Sequence, residues 1–201
     1  MLAMWQERWR TNKTSWDLKG PHPLLDRILD LAANTTGAKL HGDWLIPGCG
    51  RAHDAQMIVA RGAAGVVGKD MVPEAINEAS KLYGAIPGVF FECGDVCEIR
   101  DHEVGRFAGV FDRAMLCALG ESMRRRYVEA MAAALKKGGV FASLAFAKTS
   151  EPTVGPPFSI SESELKHLFS QSFQIIHLEE TDAGACDQKI LSEWIFVAVK
   201  I

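Results

Sequence analysis

The sequence predicts an α/β protein with a seven-stranded, mostly parallel sheet, helices on both faces and an antiparallel hairpin at its C-terminal end. Short apolar strands alternate with amphipathic helices. Several strands are continuously apolar, which is typical of a sheet covered on both faces. Glycine or aspartate follows successive strands. We expect residues 1–201 to form a single domain, because this length suits one hydrophobic core better than two.

The first two-thirds of the chain predicts five strands in alternation with helices. Apolar residues at positions 24, 25, 28, 29 and 31 predict a helix before the first strand. A later helix, residues 73–82, opens with Pro73 in its first turn, and another, residues 121–135, stops at Gly138-Gly139. The predicted strands cover residues 43–47, 65–70, 89–93, 109–113 and 140–147.

The last third predicts one helix and two closing strands. Ser161 and Glu164 form a capping box that begins a helix running to about Ser170. Strands at 173–178 and 193–200 are joined by the polar stretch 179–191, which indicates a hairpin. The proline pair in 155–158 predicts a rigid turn rather than a domain boundary.

The turn after the first strand is the most informative motif. Gly48 and Gly50 allow a tight turn in which a ligand lies against bare backbone, close to a helix N-terminus. Asp70 follows Gly50 by 20 residues at the end of the second strand, the position of an acid that binds ribose hydroxyls. His53 stands where a dinucleotide site needs a third glycine, so a nucleoside without phosphates fits better. S-adenosylmethionine is the most common such cofactor, although a plain strand–turn–helix connection also uses two glycines.

Acidic residues at successive strand ends extend this site. Asp70 suits the ribose, Asp95 with the Val96 backbone suits the adenine, and Asp112 suits the cationic amino group of a methionine moiety. Each acid alone could instead cap a helix or form a turn. Together they favour a ligand, because capping does not require acids to share one edge of the sheet.

Three tryptophans form a second group near the N-terminus. Trp5, Trp9 and Trp16 are spaced so that they would share one face of a helix. That face could simply pack on the domain. Aromatic rings also attract cations, and a sulfonium is a cation. We therefore predict that residues 1–22 form a lid over the cofactor.

Composition excludes several classes of function. The net charge of −3 gives no electrostatic basis for binding nucleic acid or an anionic membrane. The sequence has no apolar run long enough to span a bilayer and no signal-peptide pattern, so we expect a cytoplasmic protein. We also expect a monomer.

Five scattered cysteines are typical of reduced thiols. Cys93 and Cys97 lack a second ligand pair at usual spacing, so no metal site is predicted.

Several motifs resemble those of the thiopurine S-methyltransferase superfamily, which also contains thiol methyltransferases and plant halide/thiocyanate methyltransferases. The resemblance covers nearly the whole chain. Its most specific motifs are the tryptophan spacing and the Gly-Pro-Pro-Phe run at 155–158. The others include Lys13-Thr14-Ser15-Trp16-Asp17, Gly20-Pro21-His22-Pro23-Leu24-Leu25, Pro47-Gly48-Cys49-Gly50, Gly94-Asp95 and Phe111-Asp112-Arg113.

This resemblance implies a Rossmann-like class I methyltransferase that uses S-adenosylmethionine and releases S-adenosylhomocysteine. It implies that Arg113 lies at the acceptor pocket and that the cofactor is contacted by Trp5, Trp9, Trp16, Gly48, Asp70, Asp95 and Asp112. Two departures bear on structure. Lys69 stands where family members usually carry an apolar residue before the acid Asp70, which puts the burial of this strand in doubt. Met71-Val72 stands in place of the family's usual Ile-Ser, which removes a helix cap.

Methyl transfer from a sulfonium is an in-line displacement, for which the enzyme mainly aligns the reacting atoms. Sulfur nucleophiles react as thiolates, and Arg113 could favour the anion, unless it forms a structural ion pair with Asp112 or Asp95. Asp17 is the candidate proton acceptor, with His22 as the other possibility.

We expect a thiol or thiopurine as the small-molecule acceptor, with halide or thiocyanate as the alternative. A non-catalytic binding protein is less favoured, and so is a nicotinamide oxidoreductase, because His53 occupies the third-glycine position.

Overall fold

The computed structural model describes residues 1–37, 39–151, 155–182 and 190–201. Its strands form one seven-stranded sheet in the order β3-β2-β1-β4-β5-β7-β6. The strands are β1 (Asp43–Pro47), β2 (Gly65–Asp70), β3 (Val89–Cys93), β4 (Phe107–Arg113), β5 (Leu135–Thr149), β6 (Phe173–Asp182) and β7 (Ile190–Lys200). Strands β1 to β5 are parallel to one another, and β7 is antiparallel to both β5 and β6. The predicted fold class is confirmed.

The described part of the chain has six α-helices, which are α1 (Leu2–Arg10), α2 (Leu25–Thr36), α3 (Ala55–Ala60), α4 (Pro73–Tyr83), α5 (Glu121–Ala134) and α6 (Glu162–Phe169). Of these, α2 to α6 pack on the two faces of the sheet. One core cluster contains Val67 and residues of α5 and α6, and the other contains Val66 and residues of α2, α3 and α4. Adjacent strand residues enter opposite clusters because side chains alternate across a strand. This explains the continuous apolar runs in the sequence.

The helix and strand that meet near residue 135 have other bounds than the sequence predicted. Helix α5 ends at Ala134, and β5 begins at Leu135 instead of residue 140. Leu135 pairs with Phe107, and the register then shifts before Val140 pairs with Gly109. The two glycines therefore lie in an irregular part of β5 and do not terminate the helix. The predicted connection 179–191 is in part strand, and its residues 183–189 lie outside the described residues.

Lys69 does not disrupt the burial of β2, all six residues of which are buried. Its Nζ donates to both carboxylate oxygens of Glu103, at 2.9 and 3.1 Å, and to the carbonyl oxygen of Glu98 at 2.9 Å. A buried ammonium requires such partners because removal from water is costly for a charge. Helix α4 has no side-chain cap, as the sequence predicted, and begins with Pro73 in its first turn. Asp70 Oδ1 accepts a hydrogen bond from the amide of the preceding Val72, which orients the chain into the helix.

The N-terminal segment differs from a single tryptophan-bearing helix. Helix α1 ends at Arg10, so Trp5 and Trp9 lie on it and Trp16 lies in the following loop. None of the residues of α1, all of which are described, is buried. Within the described part of the chain, no helix is long and apolar enough to cross a membrane.

Candidate functional site

A cavity of about 660 Å³ opens at the carboxyl ends of β1, β2, β3 and β4. This is the edge where the strand order reverses between β1 and β4, and ligands of open α/β sheets bind at such a point. We call the wall formed by Gly48, Gly50, Asp70, Met71, Val72, Asp95 and Val96 the β1–β3 side. The β4–β5 side consists of Arg113, Ala114, Met115, Ala118, Leu119, Met123, Phe146, Pro156 and Pro157. The roof consists of Met1, Trp5, Arg8, Trp9, Lys13, Ser15 and Trp16.

The glycine turn and Asp70 are joined directly. Gly48 and Gly50 have φ of +60° and +52°, a conformation in which glycine avoids the strain of a side chain. The Gly50 amide donates to Asp70 Oδ2 at 3.0 Å, and the Val72 amide donates to Oδ1 at 2.9 Å. Burial raises the pKa of Asp70, although these backbone hydrogen bonds oppose the rise. Each carboxylate oxygen can accept a second hydrogen bond from a ligand hydroxyl.

Asp95 and Val96 lie at the far end of the β1–β3 side. Asp95 Oδ1 accepts a hydrogen bond from the Cys97 amide at 2.8 Å, which orients the carboxylate after β3. The Val96 side chain is buried and forms an apolar wall of the cavity beside it. This pairing of a polar acceptor with an apolar surface matches the two properties of an adenine ring, its amino group and its flat face.

Three of the seven roof residues are tryptophans. Trp5 and Trp16 meet edge to face with 5.3 Å between ring centroids, so the loop brings Trp16 back to the helix. The guanidinium of Arg8 lies 5.0 Å from the Trp5 ring and 5.9 Å from the Trp16 ring, and that of Arg51 lies 4.7 Å from the Trp9 ring. These distances are typical of cation–π contacts.

Polar contacts attach the roof to both walls. Arg10 on α1 pairs with Glu74 on α4 at 3.3 Å. Two nitrogens of Arg8 each lie 3.4 Å from the carbonyl oxygen of Pro156, on the β4–β5 side. The roof therefore spans the cavity from one wall to the other.

Arg113 lies between the roof and the sheet. Its Nη2 donates to the Trp16 carbonyl oxygen at 3.0 Å, and its Nη1 lies 3.8 Å from Asp54 Oδ2. The alternative ion pair with Asp112 or Asp95 is not present, because Asp54 takes that position. The side chain lines the cavity at the end of β4, next to the apolar residues of the β4–β5 side.

Asp112 does not reach the cavity, which corrects the prediction that it contacts the cofactor. The residue is fully buried, and its carboxylate accepts hydrogen bonds from the Tyr127 hydroxyl at 2.8 Å and from the Met115 amide at 2.9 Å. The Leu116 amide lies 3.2 Å from Oδ2. Burial raises the pKa of Asp112 to about 6, although these hydrogen bonds oppose the rise. Asp112 thus holds the turn that carries Ala114 and Met115 into the β4–β5 side.

Asp17, predicted to be the proton acceptor, does not line this cavity but a small pocket beside it, which shares Trp16 and Arg113 with the cavity. Its carboxylate pairs with Arg51, lies 2.9 Å from His53 Nε2 and accepts the Lys19 amide at 2.9 Å. Burial raises its pKa, but the Lys19 hydrogen bond and the nearby His53 and Arg51 outweigh burial and lower it. A low pKa and full hydrogen bonding make a poor base.

The other candidate base, His22, is likewise away from the cavity. It is buried, and its Nε2 lies 3.3 Å from Glu193 Oε2. We therefore find neither proposed base among the residues that line the cavity.

The remaining predicted site residues surround this one cavity. They are Trp5, Trp9, Trp16, Gly48, Gly50, Asp70, Asp95, Val96 and Arg113. Sequence reasoning missed Arg8, although it lies three residues after Trp5 and so shares its helix face. It also missed the apolar β4–β5 side, whose residues carry no motif. Among the residues that the structure describes, no three His, Cys, Asp or Glu side chains form a candidate metal site.

Solved structures with the same architecture include methyltransferases. The chain is similar to Burkholderia thailandensis 1,6-didemethyltoxoflavin-N1-methyltransferase, solved with S-adenosylhomocysteine, at a TM-score of 0.74 and 18% identity, covering 98% of this chain and 86% of that one. It is also similar to the Bradyrhizobium japonicum N-methyltransferase NodS, again with S-adenosylhomocysteine, at a TM-score of 0.73 and 13% identity, covering 96% and 97%. The fold is that of class I methyltransferases.

Sequence comparison narrows this class. Residues 1–197 match the family model described as thiopurine S-methyltransferase. The horse thiopurine S-methyltransferase is 30% identical, covering 90% of this chain and 80% of its own. A probable thiol methyltransferase of Arabidopsis thaliana is 27% identical, covering 92% and 80%. The chain belongs to the thiopurine S-methyltransferase family and is an S-adenosylmethionine-dependent methyltransferase.

Proposed function

We propose that the cavity binds S-adenosylmethionine and that the enzyme methylates the sulfur of a small thiol or thiopurine. When bound, the cofactor supplies an electrophilic methyl group on a sulfonium. The residues fit this group. The glycine turn exposes backbone, Asp70 and Asp95 supply acceptors for ribose and adenine, and the tryptophans supply faces for a cation. Residues 1–22 serve as a lid.

The observation that carries the acceptor proposal is the apolar β4–β5 side. Met115, Leu119, Met123 and Phe146 line it together with the two prolines, so it suits an acceptor with an apolar body. The cavity of about 660 Å³ lies within the usual range for organic ligands, about 300–1,000 Å³, and is shared between cofactor and acceptor. A halide ion would leave this apolar surface uncovered. We therefore favour a ring-bearing or alkyl thiol over halide or thiocyanate.

Arg113 favours the thiolate over the thiol. The guanidinium is a cation, and a positive charge near sulfur lowers a thiol pKa. The Trp16 carbonyl and Asp54 hold the side chain in place at the boundary between the two sides. With Asp17 committed to Arg51 and His53, no dedicated base is needed, because the thiol ionises before it reacts. We also propose that the protein acts as a monomer.

Two measurements test this function. Calorimetry with S-adenosylmethionine and S-adenosylhomocysteine should show binding, and neither heat nor protection from melting would refute the cofactor proposal. A turnover panel should then include 6-mercaptopurine, aryl and alkyl thiols, hydrosulfide, thiocyanate and iodide. We expect the organic thiols to react fastest. Faster methylation of iodide than of every thiol would establish the alternative.

The role of Arg113 has its own test. Arg113→Ala should reduce kcat/KM for thiols more than it weakens cofactor binding. Arg106→Ala is the matched control, since Arg106 lies at the opposite end of β4 and pairs with Asp43 at 3.2 Å. Equal losses of turnover and cofactor affinity in Arg113→Ala would assign this residue a structural role.

A further inference from the structure

The charged side chains that line the cavity are segregated. Both acids, Asp70 and Asp95, lie on the β1–β3 side. The cations are Arg113 on the β4–β5 side and Arg8 and Lys13 in the roof. Arg8 reaches toward the β4–β5 side, because its guanidinium contacts the Pro156 carbonyl. An acceptor on that side would therefore meet an apolar surface and two guanidinium groups.

Arg8 has an uncommon environment for an arginine. Among the residues that the structure describes, every other arginine lies within 4.0 Å of a carboxylate, and Arg8 does not. Its polar partner is one carbonyl oxygen, contacted twice at 3.4 Å, which is beyond the usual length of a strong hydrogen bond. The partly exposed guanidinium lies against the Trp5 and Trp16 rings, which restrict its position.

A restricted guanidinium with unused donors is suited to a carboxylate. Its planar donors match the two oxygens of a carboxylate, and such charge-assisted bonds are the strong ones. Arg113 is already committed to the Trp16 carbonyl and Asp54, and in the proposed function it faces the sulfur. Arg8 can therefore bind a second negative charge on the same acceptor.

We propose that Arg8 is the specificity residue for a carboxylate on the acceptor, so that the preferred substrates are carboxylate-bearing aryl or alkyl thiols. This inference rests on the proposed function. It adds that the acceptor carries two anionic groups, a thiolate beside Arg113 and a carboxylate beside Arg8, with an apolar body between them.

The test compares size-matched thiols. We would measure kcat/KM for 3-mercaptobenzoate and for its neutral methyl ester in the unmodified protein and in three variants. Arg8→Met removes the charge, Arg8→Lys keeps the charge without the planar fork, and Arg10→Met is the control on the same helix, where Arg10 pairs with Glu74. We expect the unmodified protein to prefer the carboxylate by about 10- to 100-fold, as for a charge-assisted hydrogen bond. Arg8→Met should abolish the preference, Arg8→Lys should retain part of it, and Arg10→Met should retain it fully.

A binding measurement keeps the test independent of turnover. In the presence of S-adenosylhomocysteine, calorimetry would compare 3-(methylthio)benzoate with its methyl ester, and Arg8→Met should weaken only the former. If no thiol is methylated, the proposed function fails, while this comparison still decides the role of Arg8. The inference is overturned if the unmodified protein shows no preference for the carboxylate, or if Arg8→Met lowers both thiols equally. The latter result would mean that Arg8 only fastens the roof to Pro156.

Discussion

Tyr127→Phe tests whether the buried Asp112 organises the turn beside the cavity. The substitution removes one hydroxyl from a fully buried ring and leaves the Asp112 carboxylate without its 2.8 Å donor. A hydrogen bond to a charged group contributes about 1.5–3 kcal/mol to stability, and one to a neutral group about 1 kcal/mol. The cost of Tyr127→Phe should therefore depend on whether Asp112 is ionised.

The direction of this pH dependence follows from the pKa of Asp112. Burial raises the pKa in the folded protein from 3.8 to about 6, so the folded state binds the proton more tightly than the unfolded state. The corresponding stabilisation is fully present below about pH 4 and is lost as the pH rises through 6. Because the Tyr127 hydrogen bond lowers this pKa, its removal raises the pKa further and makes ionisation more costly.

Urea unfolding of both proteins at pH 5 and pH 8 measures the effect. We expect Tyr127→Phe to lower the free energy of unfolding by about 1.5–3 kcal/mol at pH 8 and by about 1 kcal/mol at pH 5. Tyr83→Phe is the matched control, because Tyr83 is the other tyrosine of the chain and its hydroxyl is hydrogen-bonded to His53 instead of to a carboxylate. A loss for Tyr127→Phe that is the same at both pH values would refute the role assigned to Asp112.

Three further substitutions test other parts of the structure. Lys69→Met leaves Glu103 buried without its cation, so the free energy of unfolding in urea should fall by about 3–5 kcal/mol. The double variant Lys69→Met/Glu103→Gln should recover most of this stability. Asp17→Asn should raise the KM for S-adenosylmethionine by loosening the roof, yet leave the shape of the pH profile of kcat/KM unchanged. Loss of the acidic limb of that profile would restore Asp17 as a base. Gly50→Ala places a side chain in the left-handed region of backbone conformation, which costs about 1–2 kcal/mol of stability, and it should weaken cofactor binding in calorimetry. Gly138→Ala is its control, because Gly138 has a φ of +74° and open space around it. This variant should lose a similar amount of stability but keep its affinity for the cofactor.

The sequence predicted most of the fold because its signals are local. Apolar runs, glycines and strand-end acids indicated the sheet and the edge where the cavity lies. The spacing between Gly50 and Asp70 predicted that the two residues act together, and the structure places them in one hydrogen bond. The errors at element ends have a tertiary cause, since β5 begins early only because Leu135 pairs with Phe107 on β4.

The two corrected site residues were beyond sequence reasoning for a related reason. A strand-end acid faces the ligand or the interior according to which donors the rest of the fold supplies. Asp112 faces inward because Tyr127 and the turn amides supply donors there. Asp17 is neutralised by Arg51, a residue 34 positions away along the chain. No spacing rule reports such partners, so the pattern that indicated Asp70, which lines the cavity, also included Asp112, which does not.

Helix α1 contributes three cavity-lining residues and no buried one. Its ties are ring contacts, an exposed ion pair and two long hydrogen bonds, so its detachment would not expose the main core. Amide hydrogens of α1 should therefore exchange with solvent at a far smaller opening free energy than those of β5, which require global unfolding. The roof can therefore open to admit a ligand while the sheet beneath it stays folded.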